Sequence, residues 1–184
     1  MESAQLIALI AFVLLAAAVG LAARRTGSVL HRTRVAEGFR GDVADLARRI
    51  ERSLGDASVL IDALRRRDAE PDAVQPSLAA AQDAVERYAD EARSLGGPRS
   101  TAAHRQGMVD ELERAGRALE LVDHGCHLAQ LGRRLEHGPE SDTAIKRGYL
   151  NLVHARESIA EHAAAAMVEA ETASPVRRLG RRTP

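Results

Sequence analysis

The segment from Ala4 to Ala23, AQLIALIAFVLLAAAVGLAA, constrains the chain most, because it is twenty residues long and contains no charged side chain. As an α-helix it would be roughly 30 Å long, at about 1.5 Å per residue, which is the thickness of the hydrocarbon core of a bilayer. A core helix of a small domain would need a polar face, and this segment has none. The segment therefore predicts a transmembrane helix or a signal sequence.

The flanks of this segment favour the transmembrane helix. Only Met1, Glu2 and Ser3 precede it, so the basic n-region of a secretory signal is missing. Residues 24–40, which follow it, contain five arginines and one acid, and a basic flank is typical of the cytoplasmic side. We predict an uncleaved single-pass helix in a bacterial cytoplasmic membrane, with the N-terminus outside and the remaining chain in the cytoplasm. The alternative is an exported helical domain released after signal cleavage.

The net charge of zero conceals a basic, acidic, basic pattern along the chain. Residues 41–174 contain 24 acidic and 17 basic residues, whereas the excess of arginine lies in the two flanks. Arginines beside a membrane are attracted to anionic lipid by about 1 kcal/mol each. The candidate lipid-facing residues are Arg24, Arg25, Arg32, Arg34, Arg177, Arg178, Arg181 and Arg182. Nucleic acid is not an expected partner, because the body is acidic and the chain has only two Phe, two Tyr and no Trp for base stacking.

The body has the apolar periodicity of helices. Apolar residues recur at steps of three and four, and no segment alternates with period two. The predicted stripe of the first helix is Val43, Leu46, Ile50, Ser53, Ala57, Leu60 and Leu64. The predicted apolar face of the fourth helix is Ile145, Tyr149, Leu152, Ile159, Ala163, Ala166 and Ala170. Three breaks, at Glu70-Pro71, Gly96-Gly97-Pro98 and Gly138-Pro139, divide the body into four predicted helices. The first covers Val43 to Leu64 and either extends toward the membrane or is joined to it by a flexible stalk. The others start near Pro76, run over Ser100 to His137, and run over Glu140 to Ala173.

The predicted fold is all-α. A single N-terminal transmembrane helix precedes an antiparallel four-helix bundle or coiled-coil-like helical domain, because the connections are short. The predicted regions are an anchor at 1–25, a basic juxtamembrane stalk at 26–40, an acidic helical bundle at 41–174 and a basic tail at 175–184.

The third predicted helix carries the densest group of reactive side chains, Asp123, His124, Cys126 and His127. At 100° per residue, Cys126 lies on the apolar stripe and His124 about 160° away, so the two cannot bind one metal. We predict that Cys126 is buried with a raised pKa. Glu120, His124 and His127 remain as a possible metal set without a fourth ligand. The simpler interpretation is a pair of ordinary i,i+4 contacts on a helix surface, so no metal, cofactor or catalytic residue is expected.

A second apolar stripe on the same helix lies opposite the first. Its members are Leu121, Leu128, Leu131 and Leu135. A peripheral helix of a bundle needs one buried face, so we predict that this stripe contacts a protein partner or a second copy, with further burial inside the chain as the alternative. Gly125 and Gly132 lower the helix propensity beside it, which a close neighbour would explain.

These features indicate a membrane-tethered helical interaction module, a scaffold or adaptor that binds the bilayer through residues 4–23 and has no small-molecule substrate. The alternative function is a metal- or proton-handling enzyme or sensor domain centred on Glu120, Asp123, His124 and His127.

One further residue needs a partner: Arg156 lies within the apolar stripe of the fourth helix. It either pairs with a carboxylate of another helix or extends outward to solvent.

Overall fold

The computed structural model describes the backbone of residues 2–132 and 138–173, and the side chains of residues 33–131 and 138–173. The helices are α1 (Glu2–Arg66), α2 (Pro71–Ser94), α3 (Ala102–Gly132) and α4 (Gly138–Ala173), with one 3-10 turn (Arg99–Thr101) before α3. The described residues include no β-strand. The predicted all-α class is therefore confirmed.

Contacts between helices establish an up-down bundle. At one end of the α1–α4 pair, Arg67 Nη2 lies 3.5 Å from Asp142 Oδ2, and toward the other end Arg40 Nη2 lies 3.9 Å from Glu171 Oε2, so the two helices are antiparallel. The contacts of α3 with α4 are the most extensive, those of α1 with α2 are the fewest, and α2 with α3 and α1 with α4 lie between. The helices surround one core in the cyclic order α1, α2, α3, α4, which confirms the predicted helical bundle.

The predicted anchor falls outside this detailed description. Among the residues that the structure describes fully, no helix has the length and apolar character needed to cross a bilayer. Ala4–Ala23 and the arginines at 24, 25 and 32 lie among the first 32 residues, whose side chains are not described, and the four arginines of the tail also lie outside the described residues. The backbone of the segment belongs to α1, which continues without a break through Gly38 and Gly41.

The core confirms the helical periodicity and corrects its phase in α1. Val43, Leu46 and Ile50 are buried as predicted. Beyond Ile50, the predicted Ala57 and Leu64 are also buried, whereas Leu54 and Ile61 are fully buried in place of the predicted Ser53 and Leu60, which are only partly buried. The reason is geometric: a straight α-helix drifts by about 20° per heptad from a strict 3.5-residue repeat, so Leu54 and Ile61 lie nearer to the centre of the buried side than Ser53 and Leu60.

The connection between α1 and α2 lies at the predicted break, but α2 begins earlier than the sequence predicts. The end of α1 is formed by Arg67 in the left-handed conformation, with φ 65°, and by the Asp68 amide, which donates to the Ala63 carbonyl at 2.9 Å. The next helix begins at Pro71, not at the predicted Pro76, because a proline is well tolerated in the first turn of a helix. The predicted end of α3 at His137 lies outside the described residues.

Candidate functional site

Cys126 is a buried and unreactive residue of α3. Its side chain is fully buried, and it forms no disulfide. Burial, together with the smaller effect of the nearby negative charge of Asp123, raises the pKa of its thiol from 9.0 to about 11. Because the thiolate is the reactive form of cysteine, this thiol is poorly suited to catalysis or metal binding. The predicted burial of Cys126 is confirmed.

The possible metal ligands of α3 point to solvent. Glu120, His124 and His127 are all exposed. Among the residues whose side chains are described, no three His, Cys, Asp or Glu residues come together in a way that could hold a metal ion. In the described part of the chain, the arrangement at α3 is that of polar residues along a helix surface.

The leucine stripe is divided between a groove and the open surface. Leu121 and Leu128 are half-buried and line a cavity of ≈ 450 Å³ between α3 and α4, together with His124, Pro139 and Arg147. Leu131 remains 44% exposed. Leu135 lies outside the described residues. The start of α4 therefore covers part of the predicted interaction surface within the same chain.

Gly125 allows α4 to approach α3 closely. A Cβ placed on Gly125 would lie 2.7 Å from the Ile145 side chain and 3.1 Å from the Ser141 carbonyl oxygen. The buried Ser141 hydroxyl donates a hydrogen bond of 2.8 Å to the Gly125 carbonyl. The close neighbour predicted at Gly125 is thus a helix of the same chain, so this glycine gives no support to an intermolecular contact.

The first turns of α3 meet the last turns of α4 at a pair of histidines. The His104 and His162 rings are 6.0 Å apart between centroids, and His104 Nε2 lies 3.4 Å from Glu169 Oε2. Gly107 provides the space that the His162 ring occupies. Sequence reasoning missed this group, because its members are about sixty residues apart and only the antiparallel packing of α3 and α4 brings them together.

The α1–α4 seam forms a second groove, with an apolar floor. Its volume is ≈ 540 Å³, and Ala47, Ile159, Ala163 and Met167 contribute to its lining. Arg156 crosses the groove, with its Nε 3.4 Å from Glu51 Oε2. This contact confirms the first of the two predicted alternatives for Arg156, a pair with a carboxylate of another helix.

The α1–α2 seam is held by a bidentate ion pair. Two guanidinium nitrogens of Arg49 donate hydrogen bonds to the two carboxylate oxygens of Glu91, and these hydrogen bonds raise the pKa of Arg49 above its usual value. The same guanidinium lies 5.7 Å from the centroid of the Tyr88 ring. On the other side of α1, Arg65 lies 4.5 Å from the centroid of the Tyr149 ring. These contacts fix the position of α1 relative to its neighbours.

The buried hydroxyl groups make structural hydrogen bonds. Ser58 donates to the Leu54 carbonyl at 2.7 Å, Thr101 donates to the Pro98 carbonyl at 2.8 Å, and Ser141 is occupied by Gly125. None of them is paired with a histidine that could act as a base. The candidate functional sites of the described bundle are therefore surfaces and grooves.

Comparison with protein-family models, with curated proteins and with solved structures finds no match to this chain.

Proposed function

We propose that this chain is a membrane-tethered helical interaction module, a scaffold or adaptor whose bundle lies at the cytoplasmic face of a bacterial membrane. The observation that carries the proposal is the continuity of α1. One helix joins the uncharged stretch Ala4–Ala23, the basic stretch 24–40 and a wall of the bundle. A helix of 65 residues is roughly 100 Å long at about 1.5 Å per residue.

The packing of α1 supports a division between tether and bundle. The first buried side chain of α1 in the described range is Ala36, and the neighbouring helix α4 ends at Ala173, close to the level at which Arg40 meets Glu171. A bilayer is a partner that fits an uncharged helix of twenty residues with arginines on one flank.

The surface character of the bundle supports a binding role. The described thiol and hydroxyl groups have structural surroundings, whereas the grooves on either side of α4 and the leucines of α3 provide apolar area at the surface. Exposed apolar patches beside polar residues are typical of protein interaction sites. Leu131, with the half-buried Leu121 and Leu128, remains the proposed contact for a protein partner.

Tether and orientation can be tested together. The full chain should remain in the membrane fraction after alkaline carbonate extraction, and a variant lacking residues 2–25 should move to the soluble fraction. A C-terminal fluorescent reporter should fluoresce, and a C-terminal periplasmic phosphatase should be inactive. Phosphatase activity would reverse the orientation, and a mature protein without its first residues in the medium would establish export.

The adaptor role needs a test at the leucines. A photo-crosslinking residue at Leu131 should capture one defined protein in native membranes, and Leu128→Glu in the same chain should abolish the product. Arg87, an exposed residue of α2, is the matched control position and should give no such product. Equal capture from both positions would contradict a specific site on α3.

A further inference from the structure

Among the large apolar side chains of the described bundle, the three most exposed lie on two adjacent helices. Val59 of α1 is 70% exposed, and Leu150 and Val168 of α4 are 54% and 62% exposed. The remaining exposed large apolar residues, Val35 and Leu131, are less exposed and lie elsewhere. Because α1 and α4 pack side by side, these three residues lie on the outer side of the α1–α4 pair.

Matching stripes of residues define this face. On α1 the stripe is Gly41, Arg48, Arg52 and Val59, and on α4 it is Leu150, Glu157, Glu161 and Val168. Both have the spacing seven, four, seven, which keeps all members on one side of a helix. The described members are exposed on both helices, and a Cβ added at Gly41 would meet nothing within 4 Å. We call these eight residues the outer α1–α4 face.

The register of the two helices aligns the stripes. Arg67 pairs with Asp142, and each residue back along α1 corresponds to one residue forward along α4. At this register Val59 is level with Leu150, Arg52 with Glu157, and Arg48 with Glu161. The pairs of Arg40 with Glu171 and Arg156 with Glu51 give the same register to within two residues.

Among these eight residues the charges are separated by helix, whereas Glu51 of α1 and Arg156 of α4, in the groove between the stripes, pair with each other. Arginines lie on α1 and glutamates on α4. Arg52, Glu157 and Glu161 form no hydrogen bond or ion pair within the described part of the chain. Among the described residues, Arg48 pairs with Asp45 and with the Ala44 carbonyl, both of its own helix. The outer α1–α4 face therefore carries two arginines along one edge, of which Arg52 is unpaired in the described part of the chain, and two unpaired glutamates along the other.

We infer that the outer α1–α4 face binds a second copy of this chain in parallel, with α1 of each copy against α4 of the other. A two-fold axis parallel to the helices places α1 of each copy opposite α4 of the other and leaves the height of every residue along the bundle unchanged. It brings Val59 to Leu150, Arg52 to Glu157, and Arg48 to Glu161, each contact occurring twice. An antiparallel two-fold would place α1 against α1 and α4 against α4, and so arginine against arginine and glutamate against glutamate. Charge complementarity selects the parallel arrangement.

The size of the face sets the strength of the pairing. From Gly41 to Val59 the stripe is about 27 Å long, and two adjacent helices are about 20 Å wide. The contact would bury on the order of 1,000 Å² over both copies, which is at the low end for specific interfaces. The dimer is therefore weak and depends on concentration. The inference does not rest on the proposed membrane tether, because the face is complete within the bundle.

Sedimentation of the full chain in mild detergent, from about 1 to about 500 μM, tests the pairing. The chain should dimerise. Val59→Glu and Arg52→Glu should each weaken the dimer by about tenfold or more, and the double variant Arg52→Glu with Glu157→Arg should restore it. Leu131→Glu and Arg87→Glu, which change exposed residues away from this face, should leave the dimer unchanged. Circular dichroism should show the same helicity for all variants.

Crosslinking tests the orientation. In a Cys126→Ala background, a chain with Val59→Cys should form a disulfide with a differently sized chain carrying Leu150→Cys, and faster than either forms one with itself. Three results would overturn the inference: a monomer at every concentration, a dimer that Leu131→Glu breaks and Val59→Glu does not, or disulfides that form only between identical chains.

Discussion

Helix α4 packs against α3 and against α1 by different means. Toward α3 it presents Gly148, and the Ser141–Ile145 turn lies against Gly125, so the two backbones come close together. Toward α1 it presents Tyr149, Arg156 and Met167, whose larger side chains leave a groove between the helices. Residue size on each side of one helix therefore sets how tightly each neighbour packs, even where both neighbours are antiparallel to it.

The strongest test of this comparison adds one methyl group on the side of α4 that packs closely against α3, here called the tight side; the side that faces α1 is called the loose side. In Gly148→Ala the new Cβ would lie 2.5 Å from the Val122 side chain and 2.7 Å from the Ala118 carbonyl oxygen, so α3 and α4 must separate. We expect the free energy of unfolding to fall by about 2–3 kcal/mol, although alanine raises helix propensity by about 1 kcal/mol. Urea denaturation measures the change. Unaltered stability would mean that the helices are not in close contact at Gly148.

The tight side should also be visible in the pH dependence of stability. The pKa of Cys126 is about 11 in the folded chain and 9.0 when unperturbed, so the unfolded chain loses its thiol proton first as pH rises. The stability contributed by the neutral thiol is complete below pH 9 and is lost between about pH 9 and 11. The loss approaches about 1.4 kcal/mol per pH unit in the middle of that interval and reaches roughly 2 kcal/mol by pH 11.

Urea denaturation from pH 8 to 11 measures this loss. Cys126→Ala, which has no thiol to titrate, should show a flatter pH profile than the native chain. Equal slopes for the two chains would contradict the shifted pKa.

The loose side should accept the substitution that the tight side rejects. A Cβ on Gly55 would meet only Arg156 Nη1, at 4.0 Å, which is an ordinary contact. Gly55→Ala should therefore stabilise the bundle by about 0.5–1 kcal/mol through helix propensity alone. Thermal denaturation beside Gly148→Ala gives the comparison directly, and a destabilised Gly55→Ala would show that the α1–α4 seam is closed.

The smallest expected effect belongs to Arg156. Its side chain is 29% exposed and that of its partner Glu51 is 58% exposed, so the ion pair is well screened by water. Arg156→Met keeps the aliphatic packing in the groove, and we expect a change in unfolding free energy of less than about 0.5 kcal/mol. Loss of 2 kcal/mol or more in chemical denaturation would show instead that the ion pair holds the seam.

The sequence predicted the helices well, because periodicity and breakers are local signals. The apolar steps in α4 identified Ile145, Leu152, Ile159 and Ala163, all of which are buried. The seam of α1 was predicted with Ser53 and Leu60 in place of Leu54 and Ile61, since a strict heptad ignores the drift of a straight helix. Local patterns therefore predicted the helices and most of their buried positions.

The surfaces depended on information that is not local. Gly125 has an intrachain neighbour that only the position of α4 reveals, and the half-burial of Leu121 and Leu128 follows from the same contact. The His104–His162 pair and the level of Val59 with Leu150 likewise require the antiparallel register. A sequence lists the exposed residues of each helix, and the packing decides which of them lie together.

An even number of antiparallel helices returns the chain to the end of the bundle at which it entered. The contact between Arg40 and Glu171 places the beginning of the packed part of α1 beside the end of α4. A short linker could therefore join these two points, with new termini opened in the connection between Arg66 and Pro71. Such a circular permutant would keep every helix of the bundle and would detach α1 from the segment that precedes it, so that bundle and N-terminal segment could be exchanged as separate parts.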